Sequence, residues 1–293
     1  VGKRIETQTS RTAEWTCICR AASSLEENAC YKSADSVALK ILPQPIKTLI
    51  QNPFYRTLHC RFGVPKGIYP YIIARTKYMD AVYQRAVSEK FDQIVLLGAG
   101  FDTRAIRFPV VDASTRVYEF DSRFTQQTKF DLFRRSGIPL PENVQFEAID
   151  FVQESLPERL ERIGFPRNKR CLFLMEGVSM YLEPEAMRLT FRTMAEYMGP
   201  ASRVAFDYVY SDVLRNEKRH YGETEIMKSV SRVDEAWRFG IEKDTIGQFL
   251  SEYRLRLVDH MSAKDMQDRY FTDDQGNVLC RINDVHCLVT AEK

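Results

Sequence analysis

The chain has 293 residues, 44% hydrophobic and 28% charged, which is ordinary for a folded protein and long enough to bury a sizeable core. Its 42 basic and 40 acidic side chains leave a formal net charge of +2, so there is no electrostatic footprint for nucleic acid. The longest nearly apolar stretch, Ile94 to Phe101, is far too short to cross a bilayer, and no charged-then-apolar leader calls for export.

Residues 12 to 90 read as helical, giving an N-terminal helical cap over 1–90 that belongs to the same domain as a core over 91–293. Pro70 opens a helix at its first turn, with Ile72, Met79, Val82 and Ala86 on one stripe. Arg75 lies on that stripe too, three residues after Ile72 and four before Met79. A guanidinium turned inward must be paired, either by a ligand carboxylate in bidentate geometry or by a protein acid.

Short apolar runs then alternate with helical stretches. Ile94–Leu97, Val117–Phe120, Val144–Ile149, Cys171–Met175 and Val204–Tyr208 read as strands buried on both faces. Phe124–Arg135, Leu156–Ile163 and Pro184–Tyr197 read as the helices between them. This rhythm predicts a doubly wound α/β fold with a mainly parallel sheet. A charged and aromatic insertion, 209–253, follows as a lid over the site or as a surface insertion away from it. Arg254–Met261 and Arg281–Ala291 end the chain as a strand pair joined by a loop with the turn signal Asp274-Gln275-Gly276-Asn277, bringing the strands to seven and placing an antiparallel strand near one edge.

Seven cysteines are an odd number without a C-x-x-C pair, and His59, His220, His260 and His286 are far apart in sequence, so no metal site is expected. Free thiols in a reducing, cytoplasmic compartment are the simple reading.

The sharpest local signal is Ile94-Val-Leu-Leu-Gly98-Ala-Gly100-Phe-Asp102, a buried strand running into a Gly-x-Gly turn. Gly98 and Gly100 let a ligand approach the main chain, at the end of the sheet where such folds bind ligands. The third glycine of the dinucleotide fingerprint is replaced by Thr103, which disfavours a pyrophosphate ligand. Acids close the next strands: Glu119 and Asp121, then Asp150, then Glu176. Each alone reads equally as a helix cap. Together in one crevice they repel unless something cationic or rich in donors sits among them.

These residues carry a resemblance. Leu96-Leu-Gly-Ala-Gly-Phe-Asp-Thr-Arg104, Tyr118-Glu-Phe-Asp121, Ala148-Ile-Asp150 and Met175-Glu-Gly-Val-Ser-Met-Tyr-Leu182 resemble the leucine carboxyl methyltransferase family, including its bacterial branch of polyketide carboxyl O-methylases. Ser10-Arg-Thr-Ala13, Arg20-Ala-Ala-Ser23, Ala74-Arg75 and Trp237-Arg-Phe-Gly-Ile241 match more weakly. The resemblance implies the S-adenosylmethionine-dependent methyltransferase fold and S-adenosylmethionine as cofactor. It implies that Arg75 grips the methionine carboxylate, Gly98 touches the cofactor through its backbone and Asp121 holds the ribose. Asp150 and Phe151 would bracket the adenine, and Glu176 would face the methionine end. Phe151 stands where the eukaryotic branch has Leu, and residues 209–233 show no recognisable similarity, which leaves the substrate open.

The expected chemistry is O-methylation of a small molecule, on a carboxylate that needs no base at neutral pH. A phenol or hydroxyl, with a reference pKa near 10 for a phenol, benefits from a base. A protein C-terminal carboxylate is a further acceptor. Candidate bases or orienting groups are Tyr181, Asp207, Tyr208 and His220, and Arg104 is the candidate for attracting an anionic substrate, with a helix-surface salt bridge as its alternative. A nicotinamide-dependent oxidoreductase and a non-catalytic binding domain are the readings from other classes, opposed by Thr103 and by the intact acids.

Overall fold

Strands β1 (Gln93–Leu97), β2 (Arg116–Asp121), β3 (Val144–Ala148), β4 (Cys171–Met175), β5 (Arg203–Val209), β6 (Arg256–Met261) and β7 (His286–Glu292) form one sheet in the order β3-β2-β1-β4-β5-β7-β6. The computed structural model describes residues 9–110, 115–150, 154–232 and 236–293. β1 to β5 run parallel, and β7 lies antiparallel between β5 and β6. The expected α/β fold with seven strands and an antiparallel ending is the one observed.

Register sets the site. Leu97, the last residue of β1, pairs with Phe120 of β2 and with Met175 of β4. Gly98, Asp121 and Glu176 therefore leave the sheet side by side. The connection after β1 crosses to β2 on one side, while β4 lies on the other, so the three meet at the topological switch point.

Among the described residues, five helices precede the sheet: α1 (Arg11–Ser24), α2 (Ser36–Ile41), α3 (Gln44–Gln51), α4 (Pro53–Phe62) and α5 (Ile68–Ser88). Only part of the α5 surface stays exposed; Tyr71, Ile73, Thr76, Tyr78 and Asp80 are buried as well as the expected stripe, and Val82 is only half-buried. α6 (Arg104–Arg107), α7 (Arg123–Arg135), α8 (Leu156–Arg162) and α9 (Pro184–Tyr197) lie between strands, followed by α10 (Ser211–Leu214), α11 (Glu223–Arg232), α12 (Ile246–Ser251) and α13 (Ala263–Tyr270). No described helix is long and apolar enough to cross a membrane.

Three local expectations change. β3 is half-buried at every residue, because it has a neighbour only at β2. The connection before the last strand contains α13, opened by a capping box in which Ser262 and Asp265 satisfy each other's backbone N–H groups. The last strand begins at His286 rather than Arg281, because Asn283 turns away to donate its N–H to the Gly67 carbonyl and its side-chain amide to the Lys66 carbonyl.

Candidate active site

The glycine turn is built for close approach. Gly98 has φ +67°, and a Cβ there would stand 2.3 Å from Val178 Cγ2, so both conformation and packing exclude a side chain. Gly100, at φ +49°, donates its N–H to Asp121 Oδ2 at 2.6 Å. Asp121 Oδ1 accepts the Ser122 N–H at 2.6 Å, and Ser122 in turn caps α7 through the Thr125 N–H. Burial raises the Asp121 pKa, and the two backbone donors oppose it.

Behind the turn lies a buried network of arginines and acids. Arg75 donates from Nε to Glu176 Oε1 at 3.0 Å and from Nη1 to Asp207 Oδ2 at 2.9 Å. Arg104 donates from Nη2 to Glu176 Oε2 at 2.6 Å, from Nε to Asp80 Oδ1 at 2.8 Å, and from Nη1 to Asp102. Arg107 holds both oxygens of Asp80, at 2.6 and 2.8 Å. Asp35 faces Arg20 at 3.5 Å and Arg107 at 3.3 Å. Thr103, where a dinucleotide fold has glycine, is buried and donates its hydroxyl to Asp35 at 2.7 Å.

Burial opposes ionisation of Glu176, but Arg104, Arg75 and Arg20 hold its pKa down at about 2. Across this network five carboxylates (Asp35, Asp80, Asp102, Glu176, Asp207) meet four guanidinium groups (Arg20, Arg75, Arg104, Arg107), one formal negative charge in excess.

A cavity of about 1120 Å³ opens on this arrangement. Its walls include Arg75, Gly98, Gly100, Asp121, Asp150, Glu176 and Tyr181, which the structure thus brings together from α5 and four strand ends. The start of α1 adds Ser10, Ala13 and Thr16, together with Arg20. Phe151 lies outside the described residues.

Other expected residues sit elsewhere. Glu119 shares the Asp121 face of β2 but lies one pleat deeper under α7, bonded to Lys129; burial raises its pKa to about 7 against the pull of that lysine. It does not line the cavity. Arg104 is neither a surface cation nor open to a substrate: it is 0% exposed and spent on three acids. Asp207 is fully buried behind the wall, accepting from Tyr71 at 2.6 Å, Arg75, and the Gly177 N–H at 2.6 Å. Tyr208 meets His260 Nε2 at 3.0 Å, outside the cavity wall. His220 also lies away, against Asp212 at 2.9 Å and stacked on Tyr210, its pKa raised by Asp284 and Asp212 against the effect of burial. Of the 209–253 insertion, Ala236 and Arg238 are the described residues that reach the cavity.

The family model for leucine carboxyl methyltransferases matches residues 15–195 of this chain. The chain belongs to the leucine carboxyl methyltransferase family. Membership makes it an S-adenosylmethionine-dependent methyltransferase. YktD of Bacillus subtilis (strain 168), described as such an enzyme, is 25% identical over 224 residues, covering 76% of this chain and 73% of YktD. A Mycolicibacterium smegmatis relative of the same description is 33% identical over 134 residues, 46% of this chain and 44% of its own length. The match thus spans under half of that mycobacterial protein. A solved structure from Thermobifida fusca YX, described as a methyltransferase, shares the fold at TM-score 0.60 and 12% identity, over 95% of this chain and 94% of that one.

The residues of this family member fit its cofactor. Gly98 and Gly100 line the cavity with main chain rather than side chains, and the acid excess beside them favours a ligand carrying positive charge, as the sulfonium and ammonium of S-adenosylmethionine do. Among the described residues, the four-residue α6 follows Thr103 where a dinucleotide fold rests the pyrophosphate on a longer helix.

Proposed function

We propose that this methyltransferase forms a methyl ester on the carboxylate of a small molecule in the cytoplasm. The observation that carries the acceptor is the chemistry of the cavity wall. No histidine lines it among the described residues, and Glu176 is tied to two arginines with a pKa near 2. A phenol must lose a proton, for which the described wall offers carboxylates but no imidazole, whereas an ionised acid needs no base. Free thiols at all seven cysteines fit a reducing compartment.

When bound, S-adenosylmethionine supplies a methyl group on a sulfonium sulfur, which departs as a neutral thioether once an oxygen takes the methyl. In this reading the Gly98–Gly100 turn gives its backbone to the amino-acid and ribose portions. Asp121 keeps lone pairs on both oxygens for the ribose hydroxyls after accepting from Gly100 and Ser122. Asp150 borders the adenine. Arg75 and Glu176 hold the methionine end, with Asp207 and Tyr71 fixing Arg75 from behind as positioning residues. Catalysis then rests on alignment and on fixed charge in a wall that needs no reorganisation.

The test is methyl transfer from tritiated S-adenosylmethionine to a panel of small acids and phenols, followed by mild alkali. A label released as methanol supports the ester. A label that survives alkali moves the acceptor to a hydroxyl, and label on a polypeptide C-terminus moves it to protein.

A further inference from the structure

The Trp237-Arg-Phe-Gly-Ile241 segment has no part in the reading above, yet it is anchored at both ends beside the cavity. The N–H groups of Arg238 and Phe239 both donate to the Met180 carbonyl, at 2.7 and 3.2 Å. Ile241 bonds the end of β5 and the start of α10 through its backbone: its N–H donates to the Val209 carbonyl and its carbonyl accepts the Ser211 N–H. Arg238 is thereby fixed over the turn that follows Glu176.

We infer that Arg238 is the specificity-determining residue that receives the carboxylate of the substrate, in exchange for Glu183. This rests on the proposed methylation of a carboxylate. Arg238 lines the cavity with Tyr181, Leu182, Glu183 and Ala186, and its Nη1 pairs with Glu183. The pair is open to water, with side chains 31% and 60% exposed. Exposed pairs of this kind are worth little, so trading one carboxylate for another costs little.

The remaining cavity cations are committed or distant. Arg20 and Arg75 belong to the buried network, and Arg159 holds both oxygens of Glu154, at 2.8 and 2.7 Å, on the Asp150 side. Arg123 opens α7 directly after Asp121 and Ser122. Arg238, whose N–H donates to the carbonyl of Met180, the residue before Tyr181, shares the cavity wall with Leu182, Ala186 and Ala236, which offer apolar contact to the body of the ligand. The class expected is therefore a small carboxylic acid with an apolar body. The planar guanidinium suits a carboxylate in two-point contact.

The test is calorimetric titration of the full chain, loaded with S-adenosylhomocysteine, with benzoate, phenylacetate, octanoate and decanoate and with their neutral methyl esters. At least one acid binds more tightly than its ester. Arg238→Ala weakens that acid by about 10- to 100-fold and leaves the ester unchanged, in keeping with loss of a charge-assisted bond. Arg238→Lys restores part of the loss, and Glu183→Gln tightens the acid by removing its competitor. Adenosylhomocysteine binds all variants equally, which shows each is folded. The inference is overturned if no acid binds the loaded parent, if ester and acid bind alike, or if Arg238→Ala leaves the acid unaffected. Its failure is distinct from that of the ester assignment, which is read from alkali lability of the labelled product.

Discussion

Glu176 Oε1 stands 3.0 Å from Arg75 Nε, and the other oxygen of the same carboxylate stands 2.6 Å from Arg104 Nη2. One acid at the end of β4 therefore joins the helix that enters the site, α5, to the turn that follows β1. Because burial is outweighed by Arg104, Arg75 and Arg20, its pKa falls from 4.5 to about 2.

That depression makes a pH prediction. A carboxylate whose folded pKa is lowered stabilises the fold fully above its unfolded value, and the contribution fades as pH falls towards the folded value. At 1.36 kcal/mol per unit, the ionised form contributes on the order of 3 kcal/mol at pH 7. The stability gap between the parent and Glu176→Gln should be of that size at neutral pH and should narrow between about pH 4.5 and pH 2. Urea unfolding at pH 7 and pH 3 measures it. A gap of constant size would show that the charge of Glu176 is not what Arg75 and Arg104 respond to.

Arg75→Ala should destabilise far more than Arg238→Ala. Removing Arg75 leaves the buried Asp207 without a guanidinium and Glu176 with Arg104 alone, and breaking one side of a buried pair typically costs about 3–5 kcal/mol. Removing the half-exposed Arg238 breaks a pair worth about 1 kcal/mol or less. Equal denaturation midpoints for the two variants would contradict the network.

Gly98→Ala should abolish cofactor binding and lower the melting temperature. The positive φ costs an L-residue roughly 1–2 kcal/mol, and the new Cβ would meet Val178 Cγ2 at 2.3 Å. Adding Val178→Ala relieves the contact but not the dihedral, so the double variant should regain only part of the loss. Full recovery in a melting experiment would assign the whole requirement to packing.

What the sequence made legible was the part set by strand periodicity and by one turn. Gly98, Asp121, Asp150 and Glu176 each follow an apolar run, and parallel register carries such positions to one edge of a sheet. The pairing of Arg75 with Asp207 was not legible, because it spans 132 residues and depends on how α5 crosses β5. Arg104 misled for a related reason. The segment after Phe101 makes only a single helical turn, and that turn faces α5 and Asp80 rather than solvent. Asp35, Asp80 and Asp102 lie outside the strand-end pattern; the family motifs held Asp102 and the partners Arg20 and Arg104, but nothing in them pointed to Asp35 or Asp80. Glu119 differs from Asp121 by a single pleat, and alternation cannot distinguish two residues on the same face of one strand.

The last prediction concerns Asp121. Its carboxylate does two things at once: it holds the Gly100 and Ser122 N–H groups, each at 2.6 Å, and it faces the cavity. S-adenosylhomocysteine at about a hundredfold excess over its dissociation constant should stabilise the parent by roughly 2.7 kcal/mol and raise its melting temperature by several degrees, whereas NAD should not. Asp121→Ala should lose one to two decades of affinity for adenosylhomocysteine, through about 1.5–3 kcal/mol of charge-assisted hydrogen bonding. Asp121→Asn should lose less, because one oxygen remains to accept the Gly100 N–H and keep the turn in shape. Comparing the two separates the roles. If Asn and Ala are equally damaged while the ligand-free melts match, the negative charge facing the ribose is what matters. If Asn binds like the parent, the turn is what Asp121 serves, and the ribose must find its acceptor elsewhere.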